Sequence, residues 1–292
     1  MDYWKIVKEA YQITIKNKFL WFFGIFAASG SYASSNTGYN YGSGDYDYGE
    51  LTNKISEFIE QNWTAILIGI AVLFILALIY WVISIISRGA LVGSVSEIKA
   101  GRQQNFASAF KIGLSNFWKV LVFGILLSLI FITIFIILSI IPMISIFSQL
   151  WWLMIISGLL SIILFIIVSV LIGIISTYAL RFIIIEKSAV IRSFSESWAF
   201  IKSNWKEIIL LVLISWVIGI VVAIGLIVAV LAILAILALI GFVIYTISTF
   251  ATIIYSIIAG AIFLFLLIWV GGGINAFVDT YWTLSYLELK GK

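Results

Sequence analysis

The sequence contains no cysteine and no histidine. The first absence excludes disulfides and thiolate chemistry, and the second excludes imidazole acid-base catalysis; together they remove the usual side-chain ligands of zinc and haem. Only one aspartate, Asp279, lies close to a predicted span, so the carboxylate pair of an aspartate-based intramembrane enzyme is missing as well. We therefore expect no catalytic residues, no metal and no cofactor in this chain.

Charged residues are also scarce, at 10% against 63% hydrophobic residues. Globular proteins contain roughly 25% charged residues, so this composition predicts a polytopic membrane protein. No charge occurs from Val120 to Leu180 or from Ile208 to Val278. Because one span needs about 20 apolar residues, each of these runs must hold at least two spans.

We predict an all-α transmembrane bundle with spans at residues 18–30, 63–87, 117–141, 151–180, 207–229 and 249–275. Residues 230–247 fit three structures: a closely packed extension of a long tilted helix, a re-entrant segment or a seventh span. Small residues recur there at every third position, from Ala229 to Gly241, and they allow helices to approach closely in lipid. The charge pattern favours six spans, because a seventh would place the C-terminal lysines outside.

The basic residues set the orientation of these spans. Of the 17 lysines and arginines, only Lys54 lies on the predicted outer side, and basic residues near span ends are retained in the cytoplasm. We therefore expect a multi-pass cell-membrane protein with both termini in the cytoplasm and residues 30–62 outside. Residues 30–50 read as a low-complexity outer loop, and residues 51–62 as a helix on the outer surface.

A short motif recurs three times, each time before a long apolar run. It consists of an apolar residue, a small residue followed by an aromatic residue, and an asparagine ten residues after the first. The copies are Val7/Ala10/Tyr11/Asn17, Phe106/Ala109/Phe110/Asn116 and Phe194/Ser197/Trp198/Asn204. The apolar spacing in each copy is typical of a helix that lies at the membrane surface.

We interpret the chain as one membrane domain made of three repeat units, at residues 1–101, 102–188 and 189–292. Each unit contains a surface helix and two spans, so the units enter the membrane with the same orientation, and a pseudo-threefold bundle follows. The asparagines Asn17, Asn116 and Asn204 are expected to adopt the left-handed conformation that ends the surface helix and to cap the next helix.

The motif at residues 193–205, SFSESWAFIKSNW, resembles that of six-span bacterial and archaeal membrane families, among them the glycerophosphodiester phosphodiesterase membrane-domain family. The resemblance extends over nearly the whole chain and implies a prokaryotic membrane protein. In members with phosphodiesterase activity, that activity belongs to a separate soluble barrel domain, whose histidines have no counterpart here. The resemblance therefore implies a membrane module without the enzyme.

Four polar residues close to the spans form a candidate layer: Arg88, Arg181, Asn275 and Asp279. Arg88 and Asp279 stand nine residues before Glu97 and Glu288, which places them at equivalent depth in two units. A charge in lipid is costly, so it is paired or functional. This layer either lines a cytoplasm-facing cavity for a lipid head group or an ion, with Gln149 as a further member, or consists of structural pairs and side chains that reach the interface.

Two functions fit these patterns. The first is a non-catalytic membrane module that organises lipids or protein partners, because basic and aromatic surface helices favour anionic lipids. The second is a transporter or channel for a lipid-like or small amphipathic substrate. For it, the glycines at 271–273 would form a kink beside Asp279, although they equally suit close helix packing. We expect membrane lipids, including anionic ones, and no nucleic acid as partners, because the basic residues are dispersed.

Overall fold

The computed structural model describes residues 1–27, 48–148 and 150–291, and every regular element in these ranges is an α-helix. The helices are α1 (Tyr3–Lys16), α2 (Phe19–Ala27), α3 (Tyr48–Lys99), α4 (Phe106–Ser115), α5 (Phe117–Phe147), α6 (Trp151–Ile185), α7 (Val190–Ser203), α8 (Trp205–Ile247) and α9 (Thr249–Lys290). The protein is therefore the all-α bundle that its composition predicts. Gln149 and residues 28–47, which include most of the predicted outer loop, lie outside the described residues.

Five of the described helices are long and apolar enough to cross a membrane: α3 from Ser56 onward, α5, α6, α8 and α9. The described part of the predicted first span is α2, which has only nine residues, or about 14 Å at 1.5 Å per residue. By contrast, α8 has 43 residues. At about 64 Å it is twice as long as the roughly 30 Å hydrocarbon core, so it tilts strongly or extends beyond that core.

Residues 230–247 continue α8, which runs as one helix from Trp205 to Ile247. The following helix, α9, folds back along this segment, and the Tyr255 hydroxyl donates to the carbonyl oxygen of Leu237 at 2.9 Å. A Cβ on Gly241 would lie 3.3 Å from the Tyr255 ring, so this small residue makes room for the tyrosine. Residues 230–247 are therefore an extension of α8, but not the closely packed one predicted, because most of their side chains are exposed.

The last helix of each predicted unit packs against the short helix that opens the next unit. Thus α3 packs against α4 and α6 against α7, and the series closes with α9 against α1. At the first contact, a Cβ on Gly113 would lie 2.3 Å from the carbonyl oxygen of Ile86. At the last, the hydroxyls of Thr14 and Thr280 are 3.5 Å apart. Three parallel units would produce this cyclic order, but the division into units stays a prediction.

The recurring motif has the same exposure pattern in all three places. Its small residue is fully buried, with 0% exposure for Ala10, Ala109 and Ser197. The aromatic residue that follows is exposed, from 38% at Phe110 to 58% at Tyr11. The motif therefore places a small side chain where helices approach closely and an aromatic side chain on an outer face, as is common at membrane interfaces.

The motif asparagines end the short helices, but the predicted mechanism is wrong. The φ angles of Asn17, Asn116 and Asn204 are −111°, −101° and −122°, so none is left-handed. The side chains of Asn116 and Asn204 do not cap the following helix. Instead, each of the three Nδ2 groups donates to the carbonyl oxygen four residues earlier, at 2.8 to 3.0 Å. The asparagine side chain thus adds a second donor to a carbonyl group of the last helical turn. The carbonyls of Ile13 and Phe200 also accept from the backbone N–H groups of Asn17 and Asn204, and that of Ile112 accepts from the Ser115 hydroxyl.

Burial divides the described chain into two regions, which we name the base and the arms. The base comprises α1, α2, α4 and α7 with the adjoining helix ends at residues 84–99, 117–123, 178–185, 205–211 and 272–290. The arms are the remaining lengths of the long helices, at residues 56–83, 124–147, 151–177, 212–247 and 249–271. Apart from Ser145 and Ser157, every buried residue of the described chain lies in the base.

Candidate functional site

A cavity of about 910 Å³ lies where the base meets the arms. Helices α3, α5 and α6 form its walls, and Ala27 of α2 and Asp279 of α9 complete the lining. Ligand sites in proteins usually have volumes of about 300–1,000 Å³, so the cavity has room for a small molecule or part of a lipid. Its wall on α5 extends from Val120 to Phe131, a length of about 16 Å along a helix.

The walls of the cavity are mainly apolar. Their large side chains include Trp81, Ile85, Leu121, Phe123, Leu127, Leu129 and Phe131. Three of the lining hydroxyl groups donate to their own helices: Ser128 to the Gly124 carbonyl at 3.0 Å, and Ser176 and Thr177 to the Gly173 carbonyl at 2.9 and 2.8 Å. These hydroxyl protons are therefore not available to a ligand, and the walls favour an apolar one.

The polar residues of the cavity include an ion pair between α6 and α9. Nη2 of Arg181 lies 3.0 Å from Oδ1 of Asp279 and 3.3 Å from the Asp279 carbonyl oxygen. Nη1 of Arg181 donates to the Thr177 carbonyl at 2.6 Å. The Arg181 side chain is 2% exposed and that of Asp279 29% exposed. Because a buried charge without a partner is costly, Asp279 makes the burial of this guanidinium tolerable.

Arg88 lines the same cavity from α3 and is only partly buried. Its Nε donates to the carbonyl oxygen of Ala27 at 3.4 Å, so the side chain connects α3 to the last described residue of α2. Among the residues that the structure describes, no carboxylate forms an ion pair with Arg88. The described lining thus contains two guanidinium groups and a single carboxylate.

Three of the four residues of the predicted polar layer come together in this cavity. Arg88, Arg181 and Asp279 line it, whereas Asn275, one turn before Asp279 on α9, does not. The carboxylate of Asp279 forms its ion pair with Arg181. It does not form one with Arg88, the residue that the sequence places at the same depth in another unit. Sequence reasoning missed Thr177, although its position four residues before Arg181 puts both on one face of a helix.

Close contacts between glycines and neighbouring helices position α9 and α3 around this polar cluster. The glycines at 271–273 do not unwind α9, which remains helical through them. A Cβ on Gly272 would lie 2.5 Å from the Trp21 carbonyl oxygen, and one on Gly24 only 2.0 Å from the Gly272 carbonyl oxygen. On α3, a Cβ on Gly89 would lie 3.2 Å from Cα of Gly113. The structure therefore adopts the close-packing alternative.

Comparison with known proteins gives the chain a family but no activity. No curated protein and no solved structure matches it. A family match covers residues 19–289, from the start of α2 almost to the end of α9, and so includes every residue of the cavity lining. The chain belongs to a family of unknown function, DUF7544.

Proposed function

We propose that the protein is a non-catalytic membrane module that binds lipids, and that the cavity between α3, α5 and α6 is where it holds one. A single observation carries the proposal: a cavity of about 910 Å³ combines apolar walls with a polar cluster of Arg88, Arg181 and Asp279. A lipid has the same division, with an apolar chain and a polar head group. The exposed apolar arms agree with a membrane environment around this site.

The chemistry of the lining favours binding over catalysis. An arginine guanidinium stays protonated in proteins, so neither Arg88 nor Arg181 is suited to acid-base catalysis. The one carboxylate of the described lining, Asp279, is held by Arg181. We also propose a relationship to the glycerophosphodiester phosphodiesterase membrane-domain family. A membrane module that lacks the catalytic domain agrees with that relationship.

The short helices provide a second set of lipid contacts in this proposal. Their outer faces carry exposed aromatic residues, such as Trp4 at 76%, Tyr11 at 58% and Trp198 at 49%. Lysines lie close by in the chain, at Lys5, Lys8 and Lys202. Basic and aromatic side chains at a membrane surface favour anionic lipids, so we propose that the base lies at the cytoplasmic interface.

The test fills the cavity without disturbing the packing. Gly124 and Gly173 line the cavity, and a Cβ at either position meets no atom within 4 Å. The double variant Gly124→Leu/Gly173→Leu should therefore fold and lose the lipid that the wild-type protein retains in native mass spectrometry. The matched control is Gly158→Leu/Gly219→Leu, whose positions are equally open but lie outside the lining. Equal lipid retention by the filled and control variants would contradict the proposal.

A transporter or channel for a lipid-like or small amphipathic substrate is the second candidate, and the same cavity is the observation that favours it. The continuous helix through Gly271, Gly272 and Gly273 provides no unwound turn of the kind found at some transport sites. A flux assay distinguishes the two functions. Transport predicts that protein-containing vesicles move a labelled lipid between leaflets faster than empty vesicles, and that the filled variant does not.

A further inference from the structure

We infer that the cavity binds an amphiphile with one anionic group, of the phosphate or carboxylate class, through the guanidinium of Arg88. The inference rests on the proposed function, since it specifies the ligand of the same cavity. It depends on three observations. The described lining has excess positive charge, some of its hydrogen-bond donors have no acceptor, and the arginines lie at one end of the cavity while the apolar walls extend away from them.

The first observation is the charge of the cavity. Among the described lining residues, two arginines face one aspartate, and that aspartate is paired with Arg181. The described lining therefore has one excess positive charge. Asp279 also interacts electrostatically with Arg88, but it forms its ion pair with Arg181. A guanidinium near an apolar region is costly without a counter-ion. A ligand with one negative charge would neutralise the cavity, whereas a zwitterionic ligand would bring its own positive charge as well.

The second observation is the set of free donors. Arg88 has five N–H donors, and one of them makes a long bond of 3.4 Å to the Ala27 carbonyl. Arg181, which is 2% exposed, has a buried Nε with no hydrogen-bond partner in the described part of the chain. Both arginines line the cavity. Planar guanidinium groups bind phosphate and carboxylate oxygens through paired hydrogen bonds, so an anionic oxygen group is the acceptor that the remaining donors of Arg88 match.

The third observation is the distribution of lining residues along the helices. Arg88 is the last lining residue of α3 and Arg181 the last of α6, and the lining of each helix continues from there into the arms, to Ala77 and Gly173. On α5 it continues to Phe131. The anionic group therefore binds at the base end of the cavity, and an apolar chain follows the arms. A free phosphate ion would match only the base end of the cavity and would leave the apolar walls without a ligand.

The experiment compares three probes with the purified protein in a neutral detergent. Two are lysophospholipids with the same acyl chain, one with an anionic phosphoglycerol head group and one with a zwitterionic phosphocholine head group; the third is inorganic phosphate. We expect the anionic lysolipid to bind wild-type protein about tenfold more tightly than either of the others, because only it matches both parts of the cavity. The Kd values come from native mass spectrometry or calorimetry.

Variants assign this preference to Arg88. Arg88→Gln should bind the two lysolipids equally, and Arg88→Lys should keep part of the preference because it keeps the charge but loses the planar fork. The matched control is Arg102→Gln, which removes an exposed arginine that pairs with Glu97 away from the cavity. It should behave like the wild type. If Arg88→Gln does not fold, the wild-type preference and the Arg88→Lys result still decide the question.

The outcomes separate the inference from the proposed function. If both lysolipids bind wild-type protein equally and the filled variant Gly124→Leu/Gly173→Leu binds neither, the inference is wrong and the proposed function stands. If inorganic phosphate binds as tightly as the anionic lysolipid, the site is an anion site and the amphiphile is ruled out. If wild-type protein binds neither lysolipid, the proposed function fails, and the inference fails with it.

Discussion

The base and the arms contain similar apolar residues but place them in different surroundings. Leu211, in the base, is fully buried, whereas Leu213, two residues later in the same helix, is 53% exposed. The arms are joined by isolated hydrogen bonds, such as that from Ser161 to the Leu138 carbonyl at 2.7 Å. The base is held by close contacts between small residues and by a cluster of buried aromatic and aliphatic side chains, such as Phe23 and Tyr178. Contacts within the protein therefore determine the structure of the base, whereas the arms depend on lipid to cover their side chains.

This difference explains the position of the cavity. Small residues at the helix contacts of the base, such as Gly24, Gly89 and Gly113, leave no space between the helices. In the arms, α5 at Gly124 and α6 at Gly173 have open space where a side chain would lie. The cavity lies at the boundary between these regions, so its charged end is held by the base and its apolar walls belong to the arms. The three predictions below test how far the two regions behave independently.

The ion pair between Arg181 and Asp279 connects the base to the cavity, and breaking it should destabilise the protein most. Asp279→Leu leaves the guanidinium of Arg181 buried without its partner, so we expect the free energy of unfolding to fall by about 3–5 kcal/mol. The double variant Arg181→Leu/Asp279→Leu removes both charges and should recover most of this loss. Unfolding by sodium dodecyl sulfate in mixed micelles measures both. A single variant as stable as the wild type would show that the pair does not support the base.

The fold class was predictable because composition alone decides it, and the polar cluster was partly predictable. Counting back from Glu97 and Glu288 placed Arg88 and Asp279 at one depth, and both line the cavity. Their partners were not predictable, because depth does not reveal which helices are neighbours. Asp279 pairs with Arg181 because α6 approaches α9 at that level, and this depends on the packing of the whole base.

Residues 230–247 and the motif asparagines show two further limits of sequence reasoning. The small residues from Ala229 to Gly241 fit any closely packed segment, and the side chain that Gly241 accommodates comes from Tyr255 of the next helix. For the asparagines, the position of the helix end was predictable but its mechanism was not. An asparagine side chain can bond forward or backward at a helix end, and the backbone angles that decide between these depend on the packing.

The second prediction compares two neighbouring glycines of α9. Gly272→Ala places a methyl group 2.5 Å from the Trp21 carbonyl oxygen, and overpacking of this kind costs about 1–3 kcal/mol. Gly271→Ala is the matched control, because a Cβ there meets no atom within 4 Å. It should be neutral or stabilise the helix by up to about 1 kcal/mol. The same detergent unfolding assay measures both, and equal effects of the two changes would contradict the packing described for α2 and α9.

The third prediction compares a hydrogen bond of the same kind in the two regions, and it involves the least free energy. Asn204, which joins α7 to the base end of α8, donates to the Phe200 carbonyl at 3.0 Å. Asn62, whose φ of −117° and ψ of 18° interrupt α3 in the arms, donates to the Phe58 carbonyl at 2.9 Å. Asn204→Ala should lower the free energy of unfolding by about 1 kcal/mol, the usual net value of one such bond. Asn62→Ala should leave global unfolding unchanged, because few protein contacts depend on that end of α3, and should increase hydrogen exchange only near the break. If Asn62→Ala destabilises the protein as much as Asn204→Ala, the arms and the base unfold as one unit, and the distinction between them concerns burial alone.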